Sequence, residues 1–384
     1  MRIIYFTTAC SNDDYTAFFK SWQLSLNISI QNLHNRLIRS LALTHEIDVI
    51  SARPFSKKYC KLKMLPAFTK QEGKITWHYL EIKRNKLVRS RSAQKQAYRL
   101  LSKMNLKDCI ILTDTLNPYL LKSATSLAEK YHLPIIGVCN NTPSGIHNTG
   151  KSYTVSLLGR ANNLSGYITL TSGLNELYNE HSVANLTFEG ILDNKFQEID
   201  VSKYGNYIFY HGSLDAQAGV FELIEAFKKL NRGDIKLIIS GYHGNNHTIE
   251  NIIKDKNIVH LGMISNDEAL SLENHALINI NPRPYSEDYD RYLIPDNVID
   301  FLGSKAVTVS VKNKRLQTYF ESDAIWVDSS DVDDLLNGIN EALALKDRDS
   351  FIKKANSDAN KLYAMGVINR KNILFLKQFL KQID

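Results

Sequence analysis

A chain of 384 residues, 43% hydrophobic and 23% charged, is too long for one ordinary core and suits two domains. That balance excludes a disordered chain, and no apolar run approaches the roughly 20 residues that span a bilayer. The net charge of +7 is uneven: residues 53–103 carry 15 Lys and Arg against Glu72 and Glu81, which leaves −6 elsewhere.

The opening MRIIYFTTA, residues 1–9, is a β-branched run too short for a secretory leader and reads as a first buried strand. Residues 31–45 repeat Leu33, Leu37 and Leu41 at helical spacing, and 46–54 form a second strand ended by Pro54. Strands follow at 74–82, 108–114, 133–139 and 165–172, with helices at 92–106 and 117–132 between them. Such alternation predicts a parallel sheet covered on both faces. Periodicity lapses over 193–206, a plausible hinge, and the alternation then restarts. Strands are expected at 206–212, 235–241, 257–262, 276–282, 305–310 and 323–328, with helices at 218–230, 267–275 and 295–304. Residues 350–382 read as helix after the second sheet is complete, and one economical home for it is against the first domain. The expected architecture is therefore α/β, with two facing Rossmann-like domains at 1–195 and 206–350 and C-terminal helices at 351–384 returning to the first.

Four cysteines, Cys10, Cys60, Cys109 and Cys139, lack metal-like spacing and read as buried thiols of a reducing cytosol. The adjacent acids Asp13–Asp14 and Asp333–Asp334 read as solvated faces, and no convincing Asp-x-Asp metal motif appears. No cofactor or metal is implied. The basic block is either a solvated face or a patch attracted to anionic lipid head groups. No groove-reading helix, RRM or zinc motif accompanies it, which argues against nucleic acid.

Ligands of doubly wound folds bind where strand ends face helix starts, and the second half supplies three such loops. In YHGSLDAQAG, residues 210–219, Gly212 allows close backbone approach to a ligand and Ser213 offers a hydroxyl. In IISGYHG, Gly241 ends a strand. In residues 281–302, Arg283 follows a strand directly and can grip a phosphate bidentately. Pro295 suits a helix's first turn, leaving the amides of Asp296 and Asn297 at its positive end. Asp300, one turn on, can accept hydrogen bonds from ribose or sugar hydroxyls, and Tyr285, Tyr289 and Tyr292 offer stacking faces. In the first half, Ser29, Gln31 and Asn32 sit before a helix, while Asp114, Asn140 and Asn141 end two strands. All six are candidates for holding a second substrate, with helix capping the alternative for Ser29 and Asn32.

These stretches resemble the retaining glycosyltransferases of family 4, within them the capsule and exopolysaccharide enzymes. The resemblance runs over nearly the whole chain, most clearly in YHGSLDAQAGVFELIEAF, NIVHLGMISNDEALSL and ININPRP…PDNVIDFL followed by KAVTVSV. SIQNLHNRLIRSLA, IILTDTLNPYL, YITLTSGLNELYN and FEGILDN look like the landmarks of the acceptor half. The sequence also departs from the broad family. Ser213 and Ala218 stand where that family has Arg and Lys on the donor diphosphate. Tyr292 and Asp300 stand where it has two glutamates, and Asn297 where it has a lysine.

The resemblance implies transfer of a sugar, with retention, from a nucleoside diphosphate sugar, UDP-linked by expectation. The acceptor would be a lipid-linked saccharide or another surface glycan. Arg283 and Asp300 would carry the chemistry. Gly212, Ser213, Gly241, Pro295, Asp296, Asn297 and Tyr292 would help hold the donor, with Leu261, Gly262 and Met263 near its base. The enzyme would work in the cytoplasm, held peripherally at the inner face of the plasma membrane by the basic block. The alternative is a catalytically weak glycosyltransferase-like subunit supporting an active partner, which the missing Arg, Lys and Glu residues favour.

Overall fold

The structure, a computed structural model, describes residues 1–22, 28–54, 62–143, 151–241 and 255–380. Lys57, Lys58, Cys60 and Lys61 therefore lie outside the described residues. The fold is α/β with parallel sheets, and the chain divides into two compact units. One comprises Met1–Ile191, Arg291–Ile294 and Met365–Asp384; the other comprises Leu192–Asp290 and Pro295–Ala364.

The first unit runs β1 (Arg2–Thr7), α1 (Asn12–Trp22), α2 (Ile28–Leu41), β2 (Glu46–Ser51), β3 (Met64–Leu65), β4 (Phe68–Glu72), β5 (Ile75–Tyr79) and β6 (Ile82–Lys83). It continues with α3 (Lys86–Leu101), β7 (Cys109–Asp114), α4 (Pro118–Tyr131), β8 (Ile135–Cys139), α5 (Lys151–Ala161), β9 (Gly166–Thr169), α6 (Ser172–Tyr178) and β10 (Asn185–Thr187). Among the described residues its main sheet has the order β10-β9-β8-β7-β1-β2-β5-β4. All neighbours are parallel except β4, which pairs antiparallel to β5. Central strands such as Ile110–Leu112 are apolar on both faces because helices cover both sides of a parallel sheet. Local chemistry sets the helix ends. Asn117 caps α4 by accepting from the Leu120 amide, Pro118 sits in the first turn, and His132 closes the helix in the left-handed region. Cys10, Cys109 and Cys139 are buried free thiols, and burial pushes that of Cys10 up to about 12.

The second unit runs β11 (Tyr207–His211), α7 (Val220–Leu230), β12 (Lys236–Ser240), β13 (Ile258–His260), α8 (Asn266–His275), β14 (Ile278–Asn281), α9 (Glu287–Tyr292) and α10 (Asp296–Leu302). Then come β15 (Val307–Val311), α11 (Lys314–Phe320), β16 (Ile325–Val327), α12 (Val332–Ala344) and α13 (Arg348–Tyr363). Its sheet has the order β13-β12-β11-β14-β15-β16, all parallel. Ile208, Ile239, Ile280 and Val309 lie in its core, each burial stabilising by about 1.5–3 kcal/mol.

The division falls elsewhere than the sequence suggests. Residues 193–206 are part of the second unit: the Ile199 amide donates to Ser271 Oγ at 2.9 Å and Val201 is buried. The segment from 351 onward is split. Helix α13 stays in the second unit, where Asn356 Nδ2 donates to the Gly303 carbonyl. The last helix, α14 (Met365–Leu380), packs on α2 of the first unit, where Ser40 Oγ donates to the Met365 carbonyl at 2.8 Å.

Candidate functional site

In the second sheet, β11 and β14 are neighbours from which the chain departs in opposite directions, so their carboxyl ends form the topological switch point. Gly212 follows β11 and Arg283 follows β14. Three glycines are laced together across the adjoining strand ends. The Gly212 amide donates to the Ser240 carbonyl at 3.0 Å, and the Gly241 amide donates to the Gly262 carbonyl at 2.9 Å. Ser240 Oγ reaches that same carbonyl at 2.8 Å. A Cβ on Gly241 would lie 1.8 Å from the Gly212 carbonyl oxygen. Gly219, at φ +72°, closes the loop after β11 against β14: a Cβ there would lie 2.1 Å from the Pro282 carbonyl oxygen. The structure thus gathers Gly212, Gly241 and Gly262 into one backbone layer, with Arg283 next to the Pro282 contact. Leu261 and Met263 flank Gly262, both half-buried.

Arg283 is half-buried, with its guanidinium carbon 4.7 Å from the Tyr289 ring centroid. Among the described residues no carboxylate pairs with it, and its charge opposes the upward push of burial on the Tyr210 hydroxyl. Ser213 is exposed, and its hydroxyl is engaged by Asp215 at 2.5 Å. Pro295 stands just before α10 without a capping hydrogen bond from its side chain, and Asp296 is the first helical residue. The Asn297 side chain donates to the His211 carbonyl at 3.3 Å, which ties α10 to the end of β11.

Tyr292 belongs to the first unit, half-buried against the core cluster that includes Leu174 and Tyr178. It packs against that core. Asp300 is 6% exposed and lines a cavity to which Gly212, Ser213, Gly241, Gly262 and Arg283 contribute nothing. Sequence reasoning missed the pair His211–Glu273, with Nε2 2.7 Å from Oε1 and Glu273 buried. The pairing spans 62 positions, and the one local signal was a carboxylate between Leu272 and Ala276 in a helix that packs on the sheet.

In the first unit the switch point falls between β1 and β7. Ser29, Gln31 and Asn32 lie inside α2, which starts at Ile28, and not before the helix as the sequence suggested. Ser29 is exposed and Asn32 half-buried. Gln31 clamps the loop after β1: its Oε1 accepts from the Cys10 amide at 2.9 Å and its Nε2 donates to the Cys10 carbonyl at 2.8 Å. Asn35 Nδ2 adds a second donor to that carbonyl at 2.8 Å. Gln31 therefore positions backbone. Asp114 is buried at the end of β7, with Oδ1 accepting from the Leu116 amide at 2.8 Å. Asn140 is 7% exposed, and its Oδ1 has no hydrogen-bond partner among the described residues. Asn141 Oδ1 accepts from the Thr142 amide at 2.7 Å, and its carbonyl accepts from Tyr178 at 2.9 Å.

His34, also missed from sequence, joins β1, α2 and β7. Its Nδ1 meets the Tyr5 hydroxyl at 2.6 Å and its Nε2 stands 3.8 Å from Asp114 Oδ1. Burial lowers the imidazole below its ordinary 6.5, against the opposing pull of Asp114, and burial raises the Asp114 carboxyl. The two signs differ in consequence. A depressed His34 contributes stability that is present above about pH 6.5 and lost as pH falls from there through its folded value. A raised Asp114 contributes stability that is present below about pH 3.9 and lost as pH rises through its folded value. Denaturant unfolding at stepped pH should therefore show wild type losing stability from pH 7 to 5 more steeply than His34→Gln. Equal slopes would mean that His34 is not held neutral.

The family described as Glycosyl transferases group 1 matches residues 193–278, a stretch that takes in Gly212, Gly241 and Gly262 and ends before Arg283 and Asp300. No curated protein matches the chain in sequence. Solved structures match along its full length. The sucrose-phosphate synthase of Thermosynechococcus elongatus superposes with a TM-score of 0.69 at 12% identity, covering 100% of both chains. The E. coli structure described as trehalose-6-phosphate bound with UDP-2-fluoro glucose gives 0.68 at 12% identity, covering 99% of each chain. Anabaena HepE in complex with UDP and glucose gives 0.65 at 11% identity, covering 98% of this chain and 99% of its own. At these identities the likeness shows the fold. It extends to sugar-phosphate synthases and is not specific to the capsule and exopolysaccharide enzymes.

Proposed function

We propose that this protein is a glycosyltransferase that takes its sugar from a UDP-sugar. The observation that carries this reading is the glycine layer at the second unit's switch point with Arg283 beside it. A diphosphate leaving group needs backbone that it can approach closely and a fixed cation, which does most when placed before charge develops. Arg283 supplies the cation, and the residues around Gly212 allow the approach. The match of residues 193–278 to glycosyl transferases and the UDP named in two similar structures support the same reading. In its finer form the reading is a retaining, family 4-like enzyme of surface-polysaccharide synthesis. It transfers to a lipid-linked saccharide with no protein nucleophile required. The first unit's polar strand ends, Asp114, Asn140 and Asn141, are the acceptor-side candidates. Among the described residues no helix is long and apolar enough to cross a membrane. Attachment to an anionic leaflet would rest on the basic block, where α3 carries Arg89, Arg91, Lys95 and Arg99.

One observation favours the second reading, a weakly active subunit. The place of the family's first donor arginine holds Ser213, with its hydroxyl on the Asp215 carboxylate. A single experiment tests both. Purified protein is titrated with UDP by calorimetry, then incubated with a panel of UDP-sugars while released UDP is read by mass spectrometry. Binding with slow release of UDP from one sugar is expected. Absence of UDP binding sinks the transferase reading, and binding without release from any sugar favours the supporting subunit.

A further inference from the structure

His211 ends β11, one residue before Gly212, and two helices of the second unit close on it. Its ring stacks on Phe209 with centroids 5.5 Å apart and meets Phe301 of α10 edge-on at 5.4 Å. Its carbonyl accepts from Asn297 Nδ2, so side chain and backbone of one residue both hold α10 to the strand end. From α8, Glu273 brings Oε1 to 2.7 Å from the imidazole Nε2. The His211 side chain is 23% exposed and that of Glu273 1%. The imidazole can therefore exchange its proton with solvent, while the carboxylate is shut away.

A carboxylate buried to this degree is costly unless a cation stands against it. Among the described residues His211 is the one basic side chain within ion-pair distance of Glu273. The charge of the pair then depends on a single proton. With it, imidazolium and carboxylate cancel. Without it, one negative charge is left beside the glycine layer. The surrounding elements supply no replacement. On α10 the charged residues are Asp296 and Asp300, both acidic, and β12 and β14 end in the uncharged Ser240 and Asn281. On α8, Asp267 and Glu268 lie in the first turn, and His275 pairs with Glu198 at 3.3 Å. Arg283, past the end of β14, lies over the Tyr289 ring. Residues 212–219, the loop after β11, contain no Lys or Arg to mask the charge of Glu273.

We propose that His211 is a positioning residue of the nucleotide site, and that the proton on its imidazole, held against Glu273, sets the site's affinity for a diphosphate. The role presupposes that UDP binds at the glycine layer. With the proton in place the pair is neutral, and the strand end before Gly212 is held between α8 and α10. As pH rises the imidazole gives its proton to solvent, Glu273 is left uncompensated, and a polyanion is repelled.

The test is calorimetry of the full chain with UDP from about pH 6 to about pH 9, a window that brackets imidazole titration. The terminal phosphate of UDP titrates near its lower end, so each affinity is read against Glu273→Gln at the same pH. Asp300 and the other acids are common to both proteins and cancel in the same ratio. Relative to that variant, wild type is expected to lose roughly fivefold or more in affinity across the window, the low end of usual coupling between two sites. His211→Gln keeps the buried carboxylate and removes the imidazolium, so it should bind UDP weakly from neutral pH upward. Adding Glu273→Gln to it should restore binding, with the pH profile of Glu273→Gln alone. A ring that acts by packing only would leave the double variant as weak as His211→Gln. That result overturns the proposal, and so do parallel pH profiles for wild type and Glu273→Gln. If His211→Gln does not fold, the comparison of wild type with Glu273→Gln decides by itself. UDP binding without a pH gap overturns this proposal and leaves the nucleotide reading standing. No UDP binding at any pH removes the nucleotide reading, and this proposal with it.

Discussion

Replacing Arg283 with alanine is expected to weaken UDP binding roughly 10- to 150-fold, equivalent to about 1.5–3 kcal/mol for hydrogen bonds to a charged group. The size follows from placement. Arg283 leaves β14 at the switch point, next to the Pro282 carbonyl that packs on Gly219, so its origin is fixed by backbone. Its visible partner is the Tyr289 ring, a contact worth about 0.5–1 kcal/mol at an exposed site, so unfolding stability should move little. Arg283→Lys should recover only part of the affinity, because an ammonium cannot make the bidentate fork. The sharpest comparison is between UDP and uridine. If Arg283 holds phosphate, alanine costs UDP its affinity and leaves uridine unchanged. An equal loss for both ligands would place the residue against base or ribose, and no loss for either would put the diphosphate elsewhere.

The same neighbourhood shows what sequence could and could not reveal. Gly212 and Gly241 each end a run of mostly buried β-branched or aromatic residues, and Gly262 follows a shorter, half-buried one, so strand end and glycine stood out together. Their lacing into one layer did not, because it depends on sheet order, which brings β12 beside β11 and β14 on its other side. Tyr292 looked like part of the loop after β14, yet the chain leaves the second unit for Arg291–Ile294 and its ring enters another core. Gln31 read as a loop residue because polar side chains inside an apolar helical stretch are ambiguous. Its partner, the Cys10 backbone, lies 21 positions away. The edge strand β4, FTKQE, was invisible as a strand: its side chains are mostly exposed, and its pairing to β5 depends on a turn with Gly73 at φ +58°. The polar stretch 193–206 read as a hinge. Its backbone is tied by partners such as Ser271, 72 positions from Ile199, which composition does not encode.

Gly241→Ala is expected to be the most damaging single methyl that can be added to the second unit's site. The new Cβ would sit 1.8 Å from the Gly212 carbonyl oxygen and 3.2 Å from Leu214 Cγ. The first contact is with backbone, which cannot turn aside like a side chain, and φ at this position is +151°. Overpacking and backbone strain together cost roughly 2–5 kcal/mol, on the order of 5–15 °C in the transition of this unit. The methyl also pushes apart the two loops that would meet the diphosphate, so UDP affinity should fall with stability. Gly233→Ala is the matched control. It adds the same atom to the same unit at an exposed position with nothing within 4 Å, and should stay within about 0.5 kcal/mol of wild type. Calorimetric scans of the three proteins with and without UDP separate the effects. If Gly241→Ala melts with Gly233→Ala and still gains stability from UDP, the loops after β11 and β12 are not packed backbone to backbone. The glycine layer would then not be what shapes the nucleotide site.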